Sequence, residues 1–251
     1  MTYLRATMPT LMTLGNLFCG FLSVWYAVKP DDSGYIAAAW LIMAAAVFDA
    51  LDGMIARLIK AQSQFGVELD SLADVCSFGM APAILLHQYY QLPGHLGLAL
   101  AFLFFACGAL RLARFNTQLK GFDKAEFKGL PIPAAAGTIA SLVIFDSKAF
   151  GGDANVISLF APLTVLTALL MVSKVRYDTM TGLAWNSEGS KIRPVIAFGV
   201  VAAMGVWSNE AFLIVAAVYV GVGLARALVR VIHHPETKID EAVSTEDSGS
   251  H

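Results

Sequence analysis

Charged residues are scarce in this chain, and that scarcity sets the first limit on its class. Only 14% of the 251 residues are charged, whereas 57% are apolar, and the mean hydropathy is +0.65. An ordinary soluble domain has about 25% charged residues. Water is therefore not the main solvent of this protein.

Several motifs that would define other classes are also missing. The three cysteines, Cys19, Cys76 and Cys107, lie in apolar runs without a Cys-x-x-Cys pair or an ordered His/Cys spacing, which argues against a disulfide framework or a zinc site. The net charge is -2 and no dense basic stripe is present, so no nucleic-acid partner is expected. Without a Gly-rich phosphate loop or an internal repeat, one domain is the simplest organisation.

Long apolar runs predict an all-α, polytopic integral membrane helix bundle. A hydrocarbon core about 30 Å thick requires about 20 mostly apolar residues per helix. A signal peptide is the competing interpretation of the first run, but its exit lacks a small-x-small cleavage site, so we expect it to stay as a span. About eight transmembrane helices are predicted, at residues 8–28, 35–59, 67–91, 95–115, 130–145, 154–172, 194–207 and 210–232.

The basic residues predict the orientation of the bundle. With eight spans, 2 of the 17 Lys and Arg residues fall on one side and 15 on the other, and cationic loops are retained in the cytoplasm. We therefore expect a multi-pass protein of the cell (inner) membrane with both termini in the cytoplasm, where basic loops contact anionic membrane lipid. Residues 1–233 are predicted to form the membrane domain. Residues 234–251 are predicted to be a disordered acidic tail, because they hold almost no apolar residues.

Four aspartates lie at the predicted cytoplasmic ends of the second and third spans, where an ionised carboxylate costs free energy. Asp49 and Asp52 are three residues apart and Asp70 and Asp74 are four apart, so each pair shares one helical face. A short connection between adjacent antiparallel helices brings both faces together. Clustered carboxylates need cations to stay ionised, and oxygen ligands with phosphate favour magnesium or manganese. Two divalent cations (Mg²⁺ or Mn²⁺) would fit the charge.

Three other interpretations of these acids are weaker. Acidic residues near a helix N-terminus interact favourably with the helix macrodipole, which could explain Asp70 and Asp74. Asp49 and Asp52 are predicted near a C-terminus, where acids are disfavoured. A transporter or proton relay would distribute acids through the membrane depth, whereas these gather at one interface. A membrane prenyltransferase would carry a second acidic motif, and nothing after Asp74 repeats the pattern.

The same window carries a complete signature pattern. It reads Asp49-x2-Asp52-Gly53-x2-Ala56-Arg57-x8-Gly66-x3-Asp70-x3-Asp74 and resembles that of the CDP-alcohol phosphatidyltransferases at every fixed position. The resemblance implies a six-helix CDP-alcohol phosphotransferase core around a polar cavity open to the cytoplasm, often as a homodimer, with CDP-diacylglycerol as donor.

The resemblance also implies roles for individual residues. The four aspartates would hold two metal ions, and Asp74 would also act as general base. The donor-binding residues would be Gly53, Ala56, Arg57, Ser63, Gly66, Thr13 and Asn16. Gly53, Ala56 and Gly66 would leave room for a pyrophosphate beside the helix backbone. Thr13 and Asn16 have an equally plain interpretation as polar contacts between helices.

Residues outside the signature indicate the acceptor. Segments 70–82, 111–116 and 127–135 resemble the members of that family that use L-serine. A site for zwitterionic serine needs a cation for the carboxylate, and Arg111, Arg114 and Lys128 are candidates, with Asn116 as a further polar contact. Cations at span ends also commonly extend to the interface without touching a substrate. Glycerol 3-phosphate, inositol phosphate and choline stay open as alternative acceptors.

Overall fold

Helices account for all regular structure in the part of the chain that the computed structural model describes. That part comprises residues 2–29, 31–59, 63–91, 95–119, 129–149 and 157–173, together with Gly221. The elements are α1 (Thr2–Ala27), α2 (Asp32–Leu58), α3 (Gln64–Asp74), a π-helical turn (Val75–Met80), α4 (Ala81–Tyr90), α5 (Leu96–Leu119), α6 (Ile132–Ala149) and α7 (Ile157–Val172). The predicted all-α class is confirmed. The seventh predicted span and the tail lie outside the described residues, and of the eighth only Gly221 is described.

In the part of the chain that the structure describes, four helical stretches are long and apolar enough to cross a membrane. They are Met8–Ala27, Asp32–Ala56, Gln64–Tyr90 and Leu96–Thr117, which match the first four predicted spans. The fifth and sixth predicted spans correspond to α6 and α7, which are shorter apolar helices of 18 and 16 residues. The chain is therefore a polytopic membrane protein, as predicted, and the total of eight spans stays a prediction.

The short turn between α1 and α2 is held by a side-chain cap. The Asp31 carboxylate accepts hydrogen bonds from the Ser33 hydroxyl, at 2.8 Å, and from the backbone N–H of Gly34. These bonds, that of Ser33 first, hold the pKa of Asp31 below its usual value. A capping carboxylate satisfies N–H groups that have no partner within the helix, so α2 begins sharply at this turn.

The third span changes its helical geometry in the middle. It begins after Ser63, whose side-chain oxygen accepts a hydrogen bond from the Gly66 N–H at 3.0 Å. The α-helix then continues to Asp74, where the π-helical turn follows directly and leads into α4. π-helical turns are rare and occur frequently at functional sites. Nothing in the apolar pattern of this span predicted the turn.

The start of α6 is attached to the end of α7. Gly129 has a φ of 98°, a left-handed conformation that favours glycine, and an added Cβ would lie 3.2 Å from the carbonyl carbon of Met171. The next residue, Leu130, donates its backbone N–H to the Leu170 carbonyl at 3.0 Å. This close backbone contact explains why a glycine precedes the apolar run.

Small side chains pack on the inner face of α2, whereas large apolar side chains cover an exposed face of α1. In α2 the side chains of Ala38, Ala39 and Ala45 are fully buried. Large exposed side chains recur at alternating steps of three and four residues along α1, and they are Leu11, Leu14, Phe18, Phe21 and Trp25. Small interior residues let membrane helices approach closely, and large apolar residues suit contact with lipid.

Candidate active site

Three aspartates from two helices converge at one point of the bundle. Asp49 is on α2, whereas Asp70 and Asp74 are on α3. One carboxylate oxygen from each of these three residues lies within 4.8 Å of the other two. Asp52 is outside this group of three, although its carboxyl group neighbours that of Asp70. The structure therefore brings the four predicted residues to one end of α2 and α3, with three of them in position to share a ligand.

The carboxylates are enclosed, which makes their uncompensated charge expensive. Asp52 is 6% exposed and Asp74 is 8% exposed, and the other two are half-buried. One oxygen of Asp70, Oδ1, is buried and makes no hydrogen bond within the described part of the chain. Oxygen atoms arranged in this way are the ligands that hard divalent cations prefer. The three converging carboxylates can hold a metal ion, and the unsatisfied Asp70 oxygen fits that role.

Helix α1 supplies hydrogen-bond donors to this cluster. The Thr13 hydroxyl lies 3.0 Å from Oδ2 of Asp52 and 3.1 Å from the Pro9 carbonyl, so its single proton is shared between two acceptors. Nδ2 of Asn16 donates to Oδ1 of Asp74 at 3.1 Å. Thr13 is 4% exposed and Asn16 is fully buried. The site is therefore built from three helices, and α1 contacts both carboxylates that are most enclosed.

The other predicted donor-binding residues lie in the last turns of α2 and at the start of α3. Gly53 and Ala56 are half-buried in the last turns of α2, on the face of Asp49 and Asp52. Ser63 caps α3, and at Gly66 an added Cβ would meet only the Ser63 hydroxyl, at 3.1 Å. The backbone of Arg57 is part of α2, but its side chain lies outside the described residues.

Two of the predicted serine-binding residues make hydrogen bonds to neighbouring helices. Arg114 is exposed, and its Nη1 donates to the Val172 carbonyl at 3.0 Å, so it caps the end of α7. Asn116 donates from Nδ2 to the Ser71 hydroxyl at 2.9 Å, which connects α5 to α3 beside Asp70. Arg111 is half-buried on α5, and Lys128 lies outside the described residues.

Sequence reasoning missed two residues that shape the site. The Ser77 hydroxyl, in the π-helical turn, donates to the backbone carbonyl of Asn16 at 2.9 Å. Gly20 lies four residues after Asn16 on α1 and faces the π-helical turn. An added Cβ at Gly20 would lie 2.8 Å from Cα of Ser77. Asn16 and Gly20 are four residues apart and therefore lie on one face of α1. That spacing is the sequence signal that could have indicated Gly20 as part of the site.

Fold and site together define a membrane-embedded helical protein with a carboxylate cluster suited to a divalent cation. Comparison with known proteins gives the particular family. The family model for CDP-alcohol phosphatidyltransferase matches residues 6–173, which is more than half of the chain. The chain belongs to the CDP-alcohol phosphatidyltransferase family.

Similar proteins in other organisms carry names that specify an acceptor. The CDP-diacylglycerol–serine O-phosphatidyltransferase of Helicobacter pylori is 41% identical over 180 residues, which cover 71% of this chain and 74% of that protein. The archaetidylserine synthase of Methanothermobacter thermautotrophicus is 36% identical over 178 residues, 70% of this chain and 71% of that protein. The CDP-diacylglycerol–serine O-phosphatidyltransferase of Mycobacterium leprae is 34% identical over 179 residues, 69% and 58% respectively.

Proposed function

We propose that the protein transfers the phosphatidyl group of CDP-diacylglycerol to L-serine, which forms phosphatidylserine and releases CMP. The observation that carries this proposal is the convergence of Asp49, Asp70 and Asp74 within 4.8 Å, in a chain of a family that acts on CDP-linked alcohols. The choice of serine is supported by the names of relatives that align with about 70% of the chain.

The aspartates would hold the ions that the reaction needs. In this proposal Asp49, Asp52, Asp70 and Asp74 bind two divalent cations, Mg²⁺ or Mn²⁺. When bound, such ions neutralise a pyrophosphate and the charge that develops on the leaving group. Thr13 and Asn16, which the family resemblance assigns to the donor site, hydrogen-bond to Asp52 and Asp74.

The remaining residues would position the two substrates. Gly53, Ala56 and Gly66 leave space for the pyrophosphate, and Arg57 and Ser63 contact the CDP group. The serine hydroxyl oxygen forms a bond to the phosphorus that carries diacylglycerol, and the bond from that phosphorus to CMP breaks. Asp74 accepts the hydroxyl proton, so no covalent intermediate with the protein is required.

Selection of serine would require charged groups beside the acidic cluster. Arg111, Arg114 and Lys128 are proposed to attract the serine carboxylate, and Asn116 to bind a polar group of the same substrate. Asn116 is connected to Ser71, the neighbour of Asp70, so it lies beside the aspartates. Arg114 uses one nitrogen to cap α7, and its guanidinium has further N–H groups for a carboxylate.

The location of the site follows from charge and topology. We propose that the active site faces the cytoplasm and that the protein resides in the cell (inner) membrane. The supporting observation is the uneven distribution of Lys and Arg between the two sides of the predicted spans. A homodimer is proposed from the family resemblance alone.

An acceptor panel tests the proposal directly. Purified protein in detergent or lipid, given CDP-diacylglycerol and Mn²⁺ or Mg²⁺, is expected to release CMP when serine is added and to form phosphatidylserine. Chelation should stop the reaction, and excess metal should restore it. CMP release with glycerol 3-phosphate, inositol phosphate or choline instead of serine would assign a different acceptor. No release with any acceptor would reject phosphatidyl transfer.

A further inference from the structure

A single residue of α1 contacts the third span on both sides of the junction between α3 and the π-helical turn. The side chain of Asn16 donates from Nδ2 to Oδ1 of Asp74, the last residue of α3, at 3.1 Å. The backbone carbonyl of the same residue accepts the Ser77 hydroxyl, from within the π-helical turn, at 2.9 Å. Asn16 is therefore bound to two points of the third span that are three residues apart.

Both contacts are enclosed, so water does not compete for them. Asn16 and Ser77 have no exposed surface, and Asp74 is 8% exposed. In such surroundings a hydrogen bond to a carboxylate is stronger than at a surface, and losing the donor leaves a buried acceptor unsatisfied. The Asn16 amide N–H is the hydrogen-bond donor that α1 presents to the Asp74 carboxyl oxygen.

The backbone of α1 is shaped to permit this contact. Gly20 lies one turn beyond Asn16, and an added Cβ would be 2.8 Å from Cα of Ser77. The absence of a side chain at position 20 therefore lets the π-helical turn approach α1 closely enough for Ser77 to reach the Asn16 carbonyl. The contacts of Asn16 and Gly20 with the third span therefore lie where α3 is followed by the π-helical turn.

A carboxylate that is held at one oxygen is restricted in rotation about its last side-chain bond, so its second oxygen is restricted as well. Asp74 is one of the three residues whose oxygens converge within 4.8 Å. Its orientation therefore decides whether the three-carboxylate group can form. Groups that orient metal ligands in this way commonly contribute about 10- to 100-fold to metal affinity or activity.

We propose that Asn16 is a positioning residue that orients the Asp74 carboxylate toward Asp49 and Asp70, and that it acts through Asp74 rather than by touching the CDP-linked donor. This inference rests on the proposed function for its catalytic consequence. Its structural part, the orientation of a metal-binding carboxylate, can be measured without turnover.

The test compares the Asn16→Ala variant with the Ser23→Ala variant. Ser23 is also fully buried on α1, and its hydroxyl donates to the Ala38 carbonyl of α2 at 2.9 Å, away from the aspartates. Mn²⁺ binding to each purified protein is followed by the electron paramagnetic resonance signal of free Mn²⁺. We expect Asn16→Ala to weaken Mn²⁺ binding about 10- to 100-fold, and Ser23→Ala to bind as the wild type does.

Kinetics separate positioning from donor contact. At saturating Mn²⁺, Asn16→Ala should lower kcat for CMP release about 10- to 100-fold, with the KM for CDP-diacylglycerol close to that of the wild type. If the alanine variant does not fold, Asn16→Leu keeps a similar volume without the donor and should give the same result.

Two results would overturn the inference. One is Mn²⁺ binding by both Asn16 variants that equals that of the wild type. The other is a raised KM for CDP-diacylglycerol with unchanged kcat and unchanged Mn²⁺ binding, which would make Asn16 a direct donor contact. A wild-type protein without CMP release would reject the proposed function instead, and the Mn²⁺ comparison would still decide the role of Asn16.

Discussion

At the scale of single residues, the carboxylates of the site differ in their hydrogen bonds. Asp52 and Asp74 accept hydrogen bonds from α1, whereas Oδ1 of Asp70 is buried without a hydrogen bond in the described part of the chain. A buried carboxylate oxygen without a partner costs free energy unless a ligand occupies the place. Asp70 is therefore the member of the cluster whose role depends most directly on a bound cation.

Replacing Asp70 should show whether this residue is a metal ligand or is needed for folding. In Asp70→Asn the side chain keeps its size and loses its charge, so we expect CMP release to fall at least about 100-fold while the protein remains helical. Mn²⁺ affinity should fall with it, as measured by titration. The control is Asp31→Asn, because Asp31 caps α2 at its other end and asparagine is an equally good cap. Full activity of Asp70→Asn would exclude Asp70 as a required ligand.

At the scale of helical elements, the third span depends on close contact with its neighbours. Gly20 admits the π-helical turn from the side of α1. On the other side Gly108 of α5 faces Gly79 and Ile132, and an added Cβ at Gly108 would lie 2.8 Å from Cδ1 of that isoleucine. Gly20 therefore allows the π-helical turn to approach α1, whereas Gly108 leaves room for the Ile132 side chain of α6.

Adding one methyl group at Gly20 should displace the π-helical turn and so change the position of the aspartates. In Gly20→Ala the new Cβ meets the backbone of Ser77, so α1 and the π-helical turn must separate, at a cost of about 1–3 kcal/mol. We expect a lower melting temperature in detergent and reduced CMP release. Gly137→Ala is the matched control, because its Cβ would meet only Sδ of Met43, at 3.8 Å. Equal behaviour of the two variants would show that the close contact at Gly20 is not required.

The elements also show where sequence reasoning succeeds and where it fails. The spacing of Asp49, Asp52, Asp70 and Asp74 was sufficient to place their faces together, because helical periodicity and a short connection determine that geometry. The contact of Asn16 with Asp74 joins residues 58 positions apart, and periodicity within one helix carries no information about it. The π-helical turn was missed for a related reason, since an apolar run does not distinguish 3.6 residues per turn from a wider turn.

At the scale of the whole molecule, α2 separates two chemically different ends. Near its start lies the small turn capped by Asp31, with Lys29 above the ring of Tyr26 at 4.8 Å from the ring centroid. Near its other end lie the aspartates and the connection toward Ser63. The excess of Lys and Arg on the second side predicts that the aspartates face the cytoplasm.

Cysteine labelling in intact cells tests that orientation. Ser33 and Gln64 are exposed; Ser33 lies in the first turn of the second span, Asp32–Ala56, and Gln64 lies past its other end, at the start of the third span. We expect a membrane-impermeant maleimide to label Ser33→Cys in intact cells and Gln64→Cys only after permeabilisation. The unaltered chain is the control, because its described cysteines are buried or half-buried in the helices. The reverse labelling pattern would place the aspartates on the outer side and contradict the proposed location.

The participation of α1 in the site has a consequence for reading the gene of this protein. The signature begins at Asp49, yet Thr13 and Asn16, which hold two of its carboxylates, belong to a helix that ends at Ala27. A translation start misassigned by some thirty codons would leave every signature letter intact and still encode a chain whose aspartates have lost their partners. In this chain a match to the signature alone would therefore not establish an intact site, because α1 holds two of the four carboxylates.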